Sequence, residues 1–127
     1  MTESEKKHLA TTFIQSLKTR DPVLLASVTH PDVVWSIPGS CLVSGEAKGV
    51  DGIIARANNF AKYSLNIEIL YVLYGFKDVA LSLHNTGTRA GKVLDEHLTT
   101  MCHLRDGKIA RLDTLISDVQ MLNDYFA

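Results

Sequence analysis

Cysteine is scarce in this chain of 127 residues: Cys41 and Cys102 stand far apart, and neither belongs to a Cys-x-x-Cys pair. That rarity argues against a disulfide framework or a thiolate zinc site and leaves two reduced thiols as the expectation. A charge excess of one sign is missing as well. Thirteen Lys and Arg face fourteen Asp and Glu, a formal net charge of −1. Without a basic field, nucleic acid and anionic membrane surfaces are poor partners. Long hydrophobic runs are also absent. The longest uncharged apolar stretch, Ile69 to Phe76, spans eight residues, whereas a membrane helix needs about twenty. No apolar leader opens the chain, so a soluble, cytoplasmic protein is expected. There is no Gly-x-Gly-x-x-Gly loop, P-loop or Gly-x-Ser-x-Gly elbow. The five histidines are scattered along the chain, only His97 and His103 sharing a predicted strand, and none has metal-ligand spacing, so no metal and no cofactor are expected. A hydrophobic share of 46% with 21% charged residues describes one ordinary globular domain over residues 1–127.

Local patterns give an order of elements. Thr2 and Glu5 have capping-box spacing, and Leu9, Phe13, Ile14 and Leu17 recur at helical intervals, which predicts a helix ending near Arg20. Asp21-Pro22 predicts a second, short helix, with Leu24, Leu25 and Val28 on one side, stopped by His30-Pro31. Residues 32–38 alternate with period two around Val33, Trp35 and Ile37, which reads as a strand. Residues 39–49 read as a loop. Val50, Ile53, Ile54, Ala57, Phe60 and Ala61 then mark a third helix. Four long strands follow at about 66–76, 78–89, 93–105 and 108–116, parted by Lys77-Asp78, Ala90-Gly91-Lys92 and Asp106-Gly107. Residues 118–126 fit either a terminal helix or a loop. Helices first and an antiparallel meander after them define an α+β class.

This order resembles the NTF2-like superfamily, especially its SnoaL-like and ketosteroid-isomerase-like members. The resemblance is carried by Phe13-Ile14 with Leu17 before Asp21-Pro22, by the run from Pro31 to Gly39, by Ser44-Gly45 through Gly49-Val50 with Ile53, and by Arg105 through Ile109. It implies an NTF2-like cone: three helices from the N-terminal half packed in a curved, mostly antiparallel sheet that encloses a deep pocket. It also implies a homodimer formed through the sheet. Residue by residue, the family's chemistry is not matched. The general-base Asp of ketosteroid isomerases falls on Ile37, their oxyanion-holding Tyr on Phe13 and their second Asp on Thr100. The Asp and His of SnoaL-type cyclases fall on Thr114 and Thr100.

Strand parity picks the inward faces without the family. In 94–104 the even positions Leu94, Leu98, Cys102 and Leu104 are apolar while Asp95, His97, Thr99 and His103 alternate with them. In 110–116 the comparable set is Ala110, Leu112, Thr114 and Ile116, with Arg111 and Asp113 opposite. Val79, Leu81, Leu83 and Asn85 face inward from 79–85. The expected pocket lining is therefore Phe13, Leu17, Trp35, Ile37, Leu83, Asn85, Leu98, Thr100, Cys102, Leu112, Thr114 and Ile116. Such a wall suits a small apolar or partly polar organic ligand.

Polar exceptions on that wall are the candidate catalysts. Glu96 lies between Leu94 and Leu98, where a buried carboxyl would have its pKa raised and serve as general acid or base; at the pocket mouth it would be merely solvated. Asn85 either orients a substrate carbonyl or caps the strand before Thr86-Gly87. Trp35 is a stacking wall or plain core, and Cys102 a small buried hydrophobe. Asp113 is the second candidate, if a one-residue bulge turns it inward to meet His97 or Thr99. Otherwise His97 and His103 join Arg111 and Asp113 in a polar patch on the convex face. Two functions stand side by side at this level. One is a cofactor-independent isomerase, cyclase or dehydratase working by acid/base chemistry on a carbonyl compound. The alternative is a non-catalytic ligand-binding or dimerisation module, because this fold hosts many activities.

Overall fold

Thr2 and Asp21 start the two leading helices in the computed structural model, which describes residues 1–127. Helix α1, Glu3–Thr19, begins with a reciprocal cap: Glu5 N donates to Thr2 Oγ1 at 3.1 Å and Thr2 N donates to Glu5 Oε1 at 2.9 Å. It stops at Arg20, whose φ of 51° is left-handed. Helix α2, Pro22–Val28, is capped by Asp21, which accepts from the amides of Val23 and Leu24. A proline at the first helical position loses only an amide hydrogen that has no partner there anyway. Leu9, Phe13, Ile14 and Leu17 are buried as the helical stripe required.

Strand β1 spans Thr29–Ile37, β2 Gly45–Lys48, helix α3 Gly49–Lys62, β3 Asn66–Tyr74, β4 Val79–Arg89, β5 Lys92–Arg105, β6 Lys108–Ile116 and helix α4 Val119–Tyr125. The six strands form one sheet in the order β2-β1-β6-β5-β4-β3. All neighbours are antiparallel except β1 and β6. Two hairpins rest on tight turns with both central residues at positive φ: Ala90 (53°) with Gly91 (77°), and Asp106 (50°) with Gly107 (76°). That geometry follows the right-handed twist of the strands they join. The fold is the expected α+β cone, with α1, α2 and α3 on the concave side of a curved sheet.

Two features depart from the sequence reading, and a third decides between its two alternatives. Strand β1 begins at Thr29 and passes through Pro31, which sits where pairing with β6 is interrupted between Thr29 and Val34; an irregularity is where a strand tolerates proline. Part of the loop expected at 39–49 is β2, paired along β1 from Val34↔Lys48 to Ile37↔Gly45. Beyond β6, the segment that fitted helix or loop is the helix α4, with Asp118 accepting from Met121 N at 3.0 Å.

Bulges bend the sheet. Leu70 is an extra residue in β3, between Ile69↔Leu83 and Tyr71↔Ser82, and Ala110 is an extra residue in β6, between Leu104↔Ile109 and His103↔Arg111. Each increases local twist and curvature. The second shifts the phase of β6, so that Ile109, and not Ala110, is fully buried at the start of the strand.

The core centres on Trp35. Its ring packs edge-on with Phe13 at 5.2 Å and with Phe60 at 5.8 Å between centroids. Arg56 of α3 lies 4.9 Å from the same ring and is itself buried. Its guanidinium donates to Trp35 O at 2.7 Å and Gly45 O at 2.8 Å, clamping α3 to β1 and to the start of β2. Burial lowers its pKa to about 10, which leaves it charged at neutral pH. No helix is long and apolar enough to cross a membrane. Replacing Arg56 by alanine strands two carbonyls and removes the cation–π contact, and should cost about 2–4 kcal/mol. Urea unfolding of Arg56→Ala measures this; a change below about 0.5 kcal/mol, the level of an ordinary surface substitution, would show that the clamp is not structural.

Candidate functional site

The concave face is built from cross-strand rows. Ile69, Leu83, Leu98 and Ile116 form one, Ile67, Asn85 and Glu96 a second, and Val72, Leu81, Thr100 and Thr114 a third. Helix α1 covers these rows with Phe13, Ile14 and Leu17, and β1 adds Trp35 and Ile37. Helix α4 closes the remaining side with Leu122, joined by Phe126 at its end. Fifteen of the nineteen residues around the resulting cavity are hydrophobic, so an occupant must be largely apolar. The free space is about 30 Å³, room for little more than a water molecule.

Helix α4 is seated by a few specific contacts. The Tyr125 hydroxyl donates to Tyr63 O, and Ser40 N donates to Asn123 Oδ1 at 2.8 Å. Gly87 is what lets Tyr125 approach the sheet: a Cβ there would fall 2.5 Å from the tyrosine hydroxyl and 2.9 Å from Ser64 O.

Four polar side chains interrupt the apolar wall. Glu96 is only 2% exposed, and its Oε1 has no hydrogen-bond partner. Burial pushes its pKa up to about 7, with the charge of Asp118 at the start of α4 adding to the effect. Loss of hydration disfavours the carboxylate, and nothing nearby donates enough hydrogen bonds to compensate. Asn85, directly opposite on β4, also carries a buried oxygen, Oδ1, without a partner. Farther along the wall, Trp35 Nε1 donates to Thr114 Oγ1 at 2.8 Å, and Thr114 Oγ1 lies 2.8 Å from Thr100 Oγ1.

Most of the predicted lining lies on this wall: Phe13, Leu17, Trp35, Ile37, Leu83, Asn85, Leu98, Thr100, Thr114 and Ile116. Cys102 and Leu112 do not. They pair with each other in a deeper row beside Val79 and are fully buried core. Burial raises the Cys102 thiol to about 12, so it is inert at neutral pH. Asp113 is also corrected. The bulge in β6 falls at Ala110 and leaves Asp113 on the outer face, where it bonds Ser36 Oγ at 2.6 Å, Arg111 Nη2 at 2.9 Å and His103 Nε2 at 3.1 Å. Partial burial raises its pKa, but the bonds from Arg111, Ser36 and His103, with the Arg111 charge, outweigh this and hold it below the usual carboxylate range. It is a structural ion pair outside the cavity, away from His97, whose ring stacks on His84 at 4.6 Å. The sequence reading missed Phe60, Leu65, Val43, Leu122 and Phe126 as lining. Their apolar character was visible, but only the tertiary path of α3, the loop before β2 and α4 brings them to one place.

Helices held within a curved mixed sheet around an apolar concave cavity define an NTF2-like protein. An NTF2-like protein from Burkholderia xenovorans superposes with a TM-score of 0.85, covering 100% of this chain and 99% of that one at 18% identity. TerC, co-crystallised with polyporic acid, gives 0.80 over 96% and 98% of the two chains at 17% identity. An uncharacterized protein of Mycobacterium tuberculosis is 26% identical over 110 residues, 81% of this chain and 84% of that protein. Residues 10–112 match the model of the SnoaL-like domain, and the chain belongs to that family.

Folded Glu96 holds its proton up to about pH 7, whereas the same carboxyl ordinarily ionises near 4.5. Between these values the native state binds more protons than the unfolded chain, so stability falls as pH rises through this window. Urea unfolding should show the protein weaker at pH 8 than at pH 5 by roughly 1–3 kcal/mol from this group, with that loss absent in Glu96→Gln. Parallel profiles for the two proteins would contradict the assignment.

Proposed function

We propose that this protein binds a small, mostly apolar organic molecule in the concave cavity and that Glu96 moves a proton on it. The observation that carries the reading is a carboxyl buried in an apolar wall with one oxygen unsatisfied and its pKa near neutrality. A group with that affinity takes and returns a proton near pH 7 at little cost, which is what general acid/base catalysis requires. The reaction class is a cofactor-independent isomerisation, cyclisation or dehydration of a carbonyl compound, with Glu96 as base toward an acidic C–H. The crystallisation of TerC, a structural neighbour, with polyporic acid supports an organic guest. Because the closed cavity has room for only about 30 Å³, entry requires α4 to swing away and reclose, excluding water from the proton transfer.

One observation favours the non-catalytic alternative. By the sequence resemblance, Phe13, Ile37 and Thr100 fall where ketosteroid-isomerase-like proteins carry their catalytic groups, and none of the three moves a proton at neutral pH. A ligand-binding or dimerisation module would keep the cavity without turnover. The proposal also includes a homodimer through the sheet. Tyr71, Leu73, Met101 and Leu115 are exposed on two adjacent rows of the outer face, an apolar patch of the kind that a second copy covers. Sedimentation equilibrium should give twice the chain mass for the native protein and the single mass for a Met101→Lys, Leu115→Lys double variant.

Hydrogen–deuterium exchange at the α-carbon of a panel of enolisable ketones, followed by NMR, separates enzyme from binding module without knowledge of the full reaction. Wild type should exchange at least one of the bound ketones, with a rate rising through about pH 7 as Glu96 ionises. Glu96→Gln should lose that exchange by about 100-fold or more, the range of a general base, while Asp113→Asn stays within about twofold. Tight binding with no exchange in wild type would establish the binding module instead.

A further inference from the structure

The hydrogen-bond accounting of the cavity wall leaves specific valences open. At one end, with Glu96 ionised as it is when it acts as base, Asn85 Oδ1 and Glu96 Oε1 are buried acceptors without donors, side by side on β4 and β5. At the other end, the Thr100–Thr114 pair has a spare hydrogen. Its two hydroxyls carry two hydrogens, one of which lies between the oxygens at 2.8 Å. Trp35 Nε1 is itself a donor to Thr114 and so takes none. Neither threonine hydroxyl makes a further hydrogen bond, and both line the cavity and are nearly fully buried. A hydroxyl rotates to suit a partner, so whichever threonine donates to the other, one O–H remains to be offered inward. Leu98, Leu83 and Ile116 separate the two ends. Residues 96 and 100 are four apart on one strand, about 13 Å between Cα atoms, a gap that their side chains shorten.

We propose that the cavity selects a bipolar ligand. Its apolar skeleton carries at one end a hydroxyl or N–H that donates to Asn85, and at the other a carbonyl oxygen that accepts the spare hydrogen of the Thr100–Thr114 pair. The inference rests on the small-molecule reading above and adds the polarity that the molecule must have. Asn85 is then the specificity residue for the donor end. Its oxygen leaves Glu96 free to face the carbon skeleton between the two anchors. A ligand lacking either polar end leaves a buried group unsatisfied on the protein, and discrimination arises from that cost.

The test uses three matched probes: para-hydroxybenzylacetone, which has both ends; benzylacetone, which lacks the hydroxyl; and para-butylphenol, which lacks the carbonyl. Trp35 is the only tryptophan, and its indole N–H, bonded to Thr114, gives one NMR resonance that reports occupancy at the wall. The two-ended probe should bind about tenfold or more tightly than each of the others, in line with leaving one buried polar group unpaired. Asn85→Leu should shrink the advantage over benzylacetone to about threefold or less while keeping that over para-butylphenol. Thr100→Val and Thr114→Val should each keep the carbonyl preference, because one free O–H survives in either, and the double variant should lose it. The three affinities in the wild-type protein decide the matter even if a variant does not fold. Equal affinity for all three probes overturns the bipolar inference and leaves the pocket standing. No perturbation of the indole resonance by these probes or by any ketone of the exchange panel overturns the small-molecule reading itself.

Discussion

Trp35 joins every layer of this molecule. Its indole N–H ties β1 to Thr114 on β6, its ring takes the edges of Phe13 from α1 and Phe60 from α3, and its carbonyl accepts from buried Arg56. The parallel pairing of β1 with β6, the exception in an otherwise antiparallel sheet, places that side chain over the concave face, where the helices must dock. A large amphipathic side chain suits such a junction, because its apolar area fills the space between layers while its one polar hydrogen is satisfied internally. The wall of the cavity is thus also the central part of the core.

That dual use sets the electrostatics of the site. A wall rigid and apolar enough to hold the helices is poor at solvating charge, and the same packing that buries Phe13 and Leu83 raises the proton affinity of Glu96. Under the proposed function, stability and reactivity pull in opposite directions here. A neutral aliphatic residue at 96 would make a better core, and the retained carboxyl with its unsatisfied oxygen is a local weakness of the kind that functional sites carry. The polar cluster of Asp113, Arg111, His103 and Ser36 shows the contrary case. It is half-buried at the outer surface and internally paired, and its carboxyl is held ionised.

Much of this was legible in the sequence, and the limits have physical causes. The capped starts of α1 and α2 are local chemistry, readable from Thr2, Glu5, Asp21 and Pro22 alone. The inward parity of β4 and β5 follows from period-two patterning, which by itself puts Glu96 and Asn85 on the wall. Their pairing did not follow, because register depends on whether the turn at Ala90-Gly91 holds two residues or three. Strand β2 was invisible for another reason: only Ala47 of its four residues is buried, too short a pattern to show a period. Arg56 carries no local sign of burial, since a lone arginine on a helix normally faces water. The bulge at Ala110 was open to the same uncertainty, and its position decides that Asp113 faces outward.

One carboxyl, Glu96, lines the apolar cavity with its proton affinity near neutrality. Direct titration of its side-chain carboxyl by carbon-detected NMR, assigned by comparison with Glu96→Gln, measures this in the native protein. The expected result is an inflection near pH 7, well above the ordinary value of 4.5. An inflection at or below 4.5 would mean that the carboxyl is solvated and that the cavity holds no proton-transfer group.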